Sequence, residues 1–134
     1  LKKRIRILAV VDSLKHLHKG GRLPAAVALV GGALGIKPVL SVYDGAVHLA
    51  DKARGRPGAY VALFKQLDKM GGIDTRYDFV MVYSSDKLVL GPIQHYVRNN
   101  LKLEGGHLSQ IGSVIGTHIG PSAAGIAFVI PPEQ

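Results

Sequence analysis

Apolar residues along this chain fall into short runs, separated by glycine-rich and charged stretches. Ile7-Leu8-Ala9-Val10-Val11 is an uninterrupted apolar run with β-branched members, the pattern of a buried strand. Asp12 or Ser13 then offers a side-chain oxygen to the free amides of a helix start. Leu14 and Leu17 stand three apart, and Gly20-Gly21 ends that helix. Leu23-Pro24 opens a second helix running to about Leu34, with proline in the first turn where its missing N–H costs little. Ile36–Tyr43 alternates as a strand, Asp44-Gly45 is a hairpin turn signal, and Ala46–Ala50 returns as the partner strand. Arg54–Gly58 reads as a loop, and Tyr60, Leu63, Phe64 and Leu67 line one face of a helix over roughly 59–70. Phe79–Tyr83 is a further buried strand. Ile93, Tyr96, Val97 and Leu101 mark a helix near 90–102, ended by Gly105-Gly106, and Ser113–Ile115 and Ile126–Ile130 complete the strands. Strands and helices in mixed order predict a single α/β domain with a mixed sheet, one β-hairpin and flanking helices.

Composition narrows this picture. A chain of 134 residues is long enough for one domain with a real core. With 47% apolar residues it does not have the make-up of a disordered segment. The absence of cysteine excludes disulfides, a zinc finger and a thiol nucleophile. The longest apolar stretch, Pro24 to Ile36, falls short of the roughly 20 residues a membrane-spanning helix requires. The chain opens without Met and without a small-residue cleavage site, and the expectation is a piece of a longer, cytoplasmic protein. The net charge of +8 is uneven: residues 1–58 carry eleven Lys and Arg against three Asp, whereas residues 59–134 carry six of each sign. A field of that kind favours an anionic partner, whether nucleic acid, phosphate, lipid head group or acidic protein, without choosing among them.

Four features could carry chemistry. In IGTHIGPSAAGIAFVI (115–130), His118 lies between Gly116 and Gly120 beside Thr117. Two readings stand: a turn that happens to hold a histidine, or a site whose glycines let an anion approach a ring able to donate to it. Arg54 and Arg56 offer guanidinium forks suited to carboxylate or phosphate, or else form a solvated basic loop. Gly20-Gly21-Arg22 resembles an anion loop but lacks P-loop spacing, and Gly31–Gly35 lacks the dinucleotide fingerprint. Ser84-Ser85-Asp86 after a strand could join His118 in a small serine hydrolase, although no GxSxG elbow supports it. His16 and His18 would face different sides of a helix, so no metal site is expected. A basic nucleic-acid-binding domain accounts for the charge, but aromatic residues are not interleaved with the cations and no recognition motif appears.

Three segments together, VVDSLKHLHKGGRLPAAVALVGGALGIKPVLSVYDG (10–45), AVHLADKARGR (46–56) and IGSVIGTHIGPSAAGIAFV (111–129), resemble the C-terminal part of the DegV family of bacterial fatty-acid-binding proteins. The resemblance spans nearly the whole chain. It implies a binding protein and not an enzyme, without cofactor, forming the C-terminal domain of a two-domain protein whose N-terminal domain is missing here. It further implies a long-chain fatty acid held between the domains and presented to a fatty-acid kinase, which makes the acyl phosphate for phospholipid synthesis. By the same resemblance His118 and Thr117 belong to the head-group motif, Arg54 matches an arginine implicated in phosphate handling or kinase contact, and the Gly20–Arg22 turn is structural. Leu29, Ala33 and Leu34 would line the acyl tail, where each buried methylene contributes about 0.8 kcal/mol. The sequence departs from the family pattern at Gly120-Pro121-Ser122, where a second glycine commonly follows the proline, and at Ala123-Ala124, where a larger residue is common.

Overall fold

The computed structural model describes residues 2–12, 35–112, 120 and 122–132. Six strands form one mixed sheet: β1 (Ile5–Val10), β2 (Ile36–Tyr43), β3 (Ala46–Arg54), β4 (Val80–Tyr83), β5 (His107–Gln110) and β6 (Ala124–Val129), in the order β3-β2-β1-β6-β4-β5. All neighbours are antiparallel except β4 and β5. Helices α1 (Gly55–Lys69) and α2 (Gly91–Asn99) and two 3-10 turns, Lys2–Arg4 before β1 and Lys87–Leu90 before α2, complete the described elements. The expected mixed α/β sheet with one hairpin is the observed fold. The expected helices before Gly20 and from Leu23 to Leu34, and the strand expected at Ser113–Ile115, lie outside the described residues.

The apolar alternation of the strands builds the core. Leu8 and Val10 of β1, Val39 of β2 and Ala124, Ile126 and Phe128 of β6 pack against Ala59, Leu63 and Leu67 of α1 and Ile93 and Val97 of α2. A second, smaller cluster joins Val11, Leu40 and Ala123, with Val47, Leu49 and Ile111 against it. Leu8 and Ile126 are opposite each other in the β1–β6 register, so their burial is shared across the strand pair. At Gly125, opposite Ala9, an added Cβ would stand 2.5 Å from the Leu8 carbonyl oxygen; the glycine is required by close backbone approach.

Three expectations need correction. Residues 54–58 are not a loop: β3 runs through Arg54, and α1 starts at Gly55. Pro57 falls in the first helical turn, where amides have no intrahelical acceptor, so it opens the helix rather than interrupting it. The helix expected to reach residue 102 ends at Asn99; Gly105 and Gly106 instead lead into β5, Gly106 passing so close to Phe79 that a Cβ would lie 2.4 Å from its ring. Strand β5 was not expected, because His107-Leu108-Ser109-Gln110 is exposed throughout and has no apolar periodicity. The hairpin, by contrast, is where the sequence put it, with Asp44 and Gly45 both at positive φ (52° and 72°) as a type I′ turn requires.

One end of the sheet is closed by charge. Asp74 is buried and receives Arg76 through Nε at 3.0 Å and Nη2 at 2.7 Å, the Arg76 amide at 3.1 Å, and Arg4 from the start of β1. Its own N–H donates to the Val129 carbonyl at 2.7 Å, and Ile130 N–H donates to the Arg4 carbonyl at 2.8 Å. The Arg76 guanidinium is the main cause of an Asp74 carboxyl held far below the ordinary carboxylate range, against burial that pushes the other way; the Arg76 amide and Arg4 add to the lowering.

Candidate functional site

The opposite end of the sheet collects the candidate residues. In the observed register Val10 pairs with Val39 and Ala124, Ile36 with Arg54, and Tyr83 with both Ala124 and Gln110. Strands β1, β3, β4 and β5 therefore finish at this end, and β2 and β6 begin there. Residues 13–34 depart from Asp12 and rejoin at Gly35; residues 113–119 depart after Gly112 and rejoin at Gly120. Both segments thus leave and return at the same end. Thr117, His118, Leu29, Ala33, Leu34 and the Gly20–Arg22 turn belong to these segments and lie outside the described residues.

Arg54 is the last residue of β3 and the N-cap of α1, with extended backbone (φ −80°, ψ 122°) and an exposed side chain. The Gly55 N–H donates to the Gly35 carbonyl at 2.7 Å, tying this corner to the point where the 13–34 segment returns. Since β3 and β6 are three strand spacings apart in the sheet order, Arg54 starts about 14 Å across the sheet from the entry to β6.

Arg56 differs from Arg54. Its Nη1 donates to Asp12 Oδ1 at 3.0 Å and its Nη2 to the Tyr60 hydroxyl at 2.6 Å, while the Tyr60 hydroxyl donates to the Val89 carbonyl at 2.6 Å. Lys37 Nζ stands 3.8 Å from the same Asp12 oxygen. The Asp12 carboxylate, expected to cap a helix, is engaged by two cations from β2 and α1. Arg56 is thus an internal tie, and Arg54 is the arginine of the pair directed to the rim. Part of the basic excess of residues 1–58 is spent inside the domain, on Asp12 and Asp74.

The Ser84-Ser85-Asp86 triplet is also structural. Ser84 is buried; its Oγ donates to the Gly120 carbonyl at 3.0 Å and accepts from the Ala123 N–H at 2.8 Å, and its own N–H donates to the Ala123 carbonyl at 3.0 Å. A hydroxyl that has given its proton to a carbonyl has none to offer a general base, so the hydrolase reading fails for Ser84. Ser85 turns the chain at φ 69°, and Asp86 caps the following 3-10 turn by accepting from Leu88 N–H at 3.0 Å. Sequence reasoning missed this bracing role, because a serine directly after a buried strand is equally what a nucleophile looks like.

A groove of about 710 Å³ opens between α1 and α2. Phe64 and Tyr96 stack there at 4.0 Å between ring centroids. Arg56 lines it and Arg54 does not, so it is separate from the rim at the sheet end. No cluster of His, Asp and Glu able to hold a metal occurs among the described residues.

Comparison with known proteins places this architecture. A family model described as "uncharacterised protein, DegV family" matches residues 1–130. A DegV domain-containing protein of Caldanaerobacter subterraneus subsp. tengcongensis is 34% identical over 125 residues, covering 93% of this chain and 45% of the relative. Among solved structures, a DegV family protein from Thermus thermophilus, described for its fatty-acid binding, is 27% identical with a TM-score of 0.75 over 94% of this chain and 46% of that one. The Streptococcus pneumoniae Fatty Acid Kinase (Fak) B3 protein loaded with linoleic acid shares the fold, at a TM-score of 0.82 and 20% identity, over 96% of this chain and 45% of that one. This chain thus spans less than half the length of the proteins it matches. The family match over residues 1–130 and the shared sheet agree: the chain belongs to the DegV family.

Proposed function

We propose that this chain is the C-terminal domain of a cytoplasmic two-domain fatty-acid-binding protein, a binding protein with no catalytic step of its own. In this reading the domain holds a long-chain acyl group along Leu29, Ala33 and Leu34, contacts the carboxylate through Thr117 and His118, and keeps Arg54 at the rim. The N-terminal domain completes the site, and a fatty-acid kinase receives the presented carboxylate. The observation that supports the reading is that the 13–34 and the 113–119 segments leave and rejoin the strands at the same end of the sheet, with exposed Arg54 beside the corner where 13–34 returns and Gly120 at the corner where 113–119 returns. An anion seated between two such corners, about 14 Å apart across the sheet, has room for a carboxylate or acyl phosphate with donors on both sides. No helix among the described residues is long and apolar enough to cross a membrane.

Extraction and mass spectrometry of the whole protein test this. Fatty acid in the extract, or binding of added oleate, is expected. Well-folded whole protein that yields none and binds none overturns the reading. In the same protein His118→Ala is expected to weaken fatty-acid binding by tenfold or more with little change in thermal stability, measured by oleate titration beside a melting curve. Equal losses in both would return His118 to the role of a turn residue.

A further inference from the structure

We propose that the outer edge of β5 is a self-association surface, on which a second copy of this chain adds its own β5 antiparallel across a twofold axis at Ser109. The sheet order leaves two strands at its edges, β3 and β5. An edge displays unpaired amide and carbonyl groups, and folds blunt it with charge or irregularity. The β3 edge carries Asp51 and Lys52, and its pairing with β2 shifts register between Val39 and Leu40. The β5 edge has no such guard. His107-Leu108-Ser109-Gln110 contains no acid, lysine, arginine or proline and keeps an unbroken register with β4. All four residues are exposed, Leu108 to 45%. Among the described residues nothing pairs with its outer side.

The backbone fixes how a copy would fit. The His107 and Ile111 amides donate inward, to the Phe79 and Tyr83 carbonyls. Backbone groups alternate sides along a strand, so those of Leu108 and Gln110 point outward. A second β5 running antiparallel satisfies them when Leu108 of each copy faces Gln110 of the other, each pair exchanging both N–H···O bonds. Ser109 then stands opposite Ser109, and no like charges meet. The wider field agrees. Residues 59–134, which include β5, β4 and α2, carry six charges of each sign, whereas β3 lies in the part that holds the whole excess of +8. Two copies meeting at β3 repel; at β5 net charge does not oppose them. Under the same edge a groove of about 480 Å³ is lined by Met81, Leu103 and Leu108, with Gln94, Arg98 and Glu104 on its rim. Leu108 pairs with buried Met81 and Gln110 with Tyr83, so both share the sheet face that carries α2. The second copy therefore brings its Gln110 amide to the groove side, where the rim offers donors and acceptors. Because the paired strands run oppositely, the candidate ends of the two copies point away from each other and both stay open.

Sedimentation of the whole protein over a concentration series is expected to show a reversible monomer–dimer equilibrium. Ser109→Lys and Ser109→Glu each set like charges directly across the axis, and each is expected to weaken the dimer at least tenfold without lowering the melting temperature, since Ser109 is exposed. An equimolar mixture of the two is expected to dimerise again, each charge then facing its opposite. Opposed Ser109 Cα atoms stand about 4.5 Å apart in this register, within reach of a disulfide. Ser109→Cys is therefore expected to give a covalent dimer on mild oxidation that the wild type does not give; this chain has no cysteine of its own to confuse the link. A whole protein that stays monomeric throughout overturns the proposal, whether other parts of it cover β5 or the edge stays bare. So does a dimer that the charge variants leave intact or that their mixture fails to restore, or a Ser109→Cys protein that forms no cross-link.

Discussion

The two ends of this sheet are built differently. At one end Arg4, Arg76 and Asp74 bring the start of β1, the end of β6 and the turn after α1 into a single ion cluster around the buried, donor-saturated Asp74 carboxylate. At the other, an arginine is left exposed, a serine occupies a left-handed turn, and two long connections leave and return. The difference teaches where stability and function are separated. A charge cluster that is fully paired holds the strands together and offers nothing to a ligand. The other end instead holds a serine in a left-handed turn and the two connections, and ligand-binding elements are drawn from such strained, loop-built regions.

Substitutions at the two ends should therefore separate stability from binding. The largest loss of stability is expected for Asp74→Asn, which removes the negative charge and one of the two oxygens that accept from Arg4 and Arg76; melting of the whole protein should show the greatest fall of the series while oleate affinity stays as in the wild type. A parallel loss of affinity would show that the ends are coupled. The pH dependence of the same cluster has a definite sign. Because the folded carboxyl titrates below its ordinary value of 3.8, its contribution is fully present above that value and is lost as pH falls through the lowered one. Denaturant midpoints measured between pH 2 and pH 6 should drop at the acid end in the wild type, with a shallower acid limb in Asp74→Asn.

The open end should respond less in stability and more in binding. Ser84→Ala leaves a buried carbonyl and a buried amide without their partner and should cost about 2–3 kcal/mol, read from denaturant unfolding. The smallest effect, of opposite sign, is expected for Ser122→Gly. Serine in a left-handed turn carries about 1–2 kcal/mol of unfavourable backbone energy, and glycine returns part of that to a more flexible unfolded chain. A net gain of about 0.5–1 kcal/mol is expected; a loss would mean that the Ser122 side chain makes contacts outweighing its backbone strain.

This turn also bears on the departure at Ser122. Ser122 is left-handed at φ 63°, the conformation glycine adopts most readily, and its neighbour Ala123 donates its N–H to Ser84 Oγ.

What the sequence determined by itself was local. The apolar runs at Ile7–Val11 and Phe79–Tyr83, the Asp44-Gly45 turn and the face made by Tyr60, Leu63 and Leu67 each rest on periodicity or turn chemistry within a few residues, and each appears at nearly its expected place. Family membership was legible for a related reason: three separated motifs agreed. Tertiary structure alone decided which of two arginines two residues apart is tied to Asp12 and which is left exposed at the rim, because that depends on where β3 ends and α1 begins relative to β1. It alone made exposed His107–Gln110 a strand, since a parallel edge takes its order from β4 and not from its own side chains. And it alone turned Ser84 from a candidate nucleophile into a brace, because its two hydrogen-bond partners lie 36 and 39 residues away, a distance over which sequence pattern carries no information about contact.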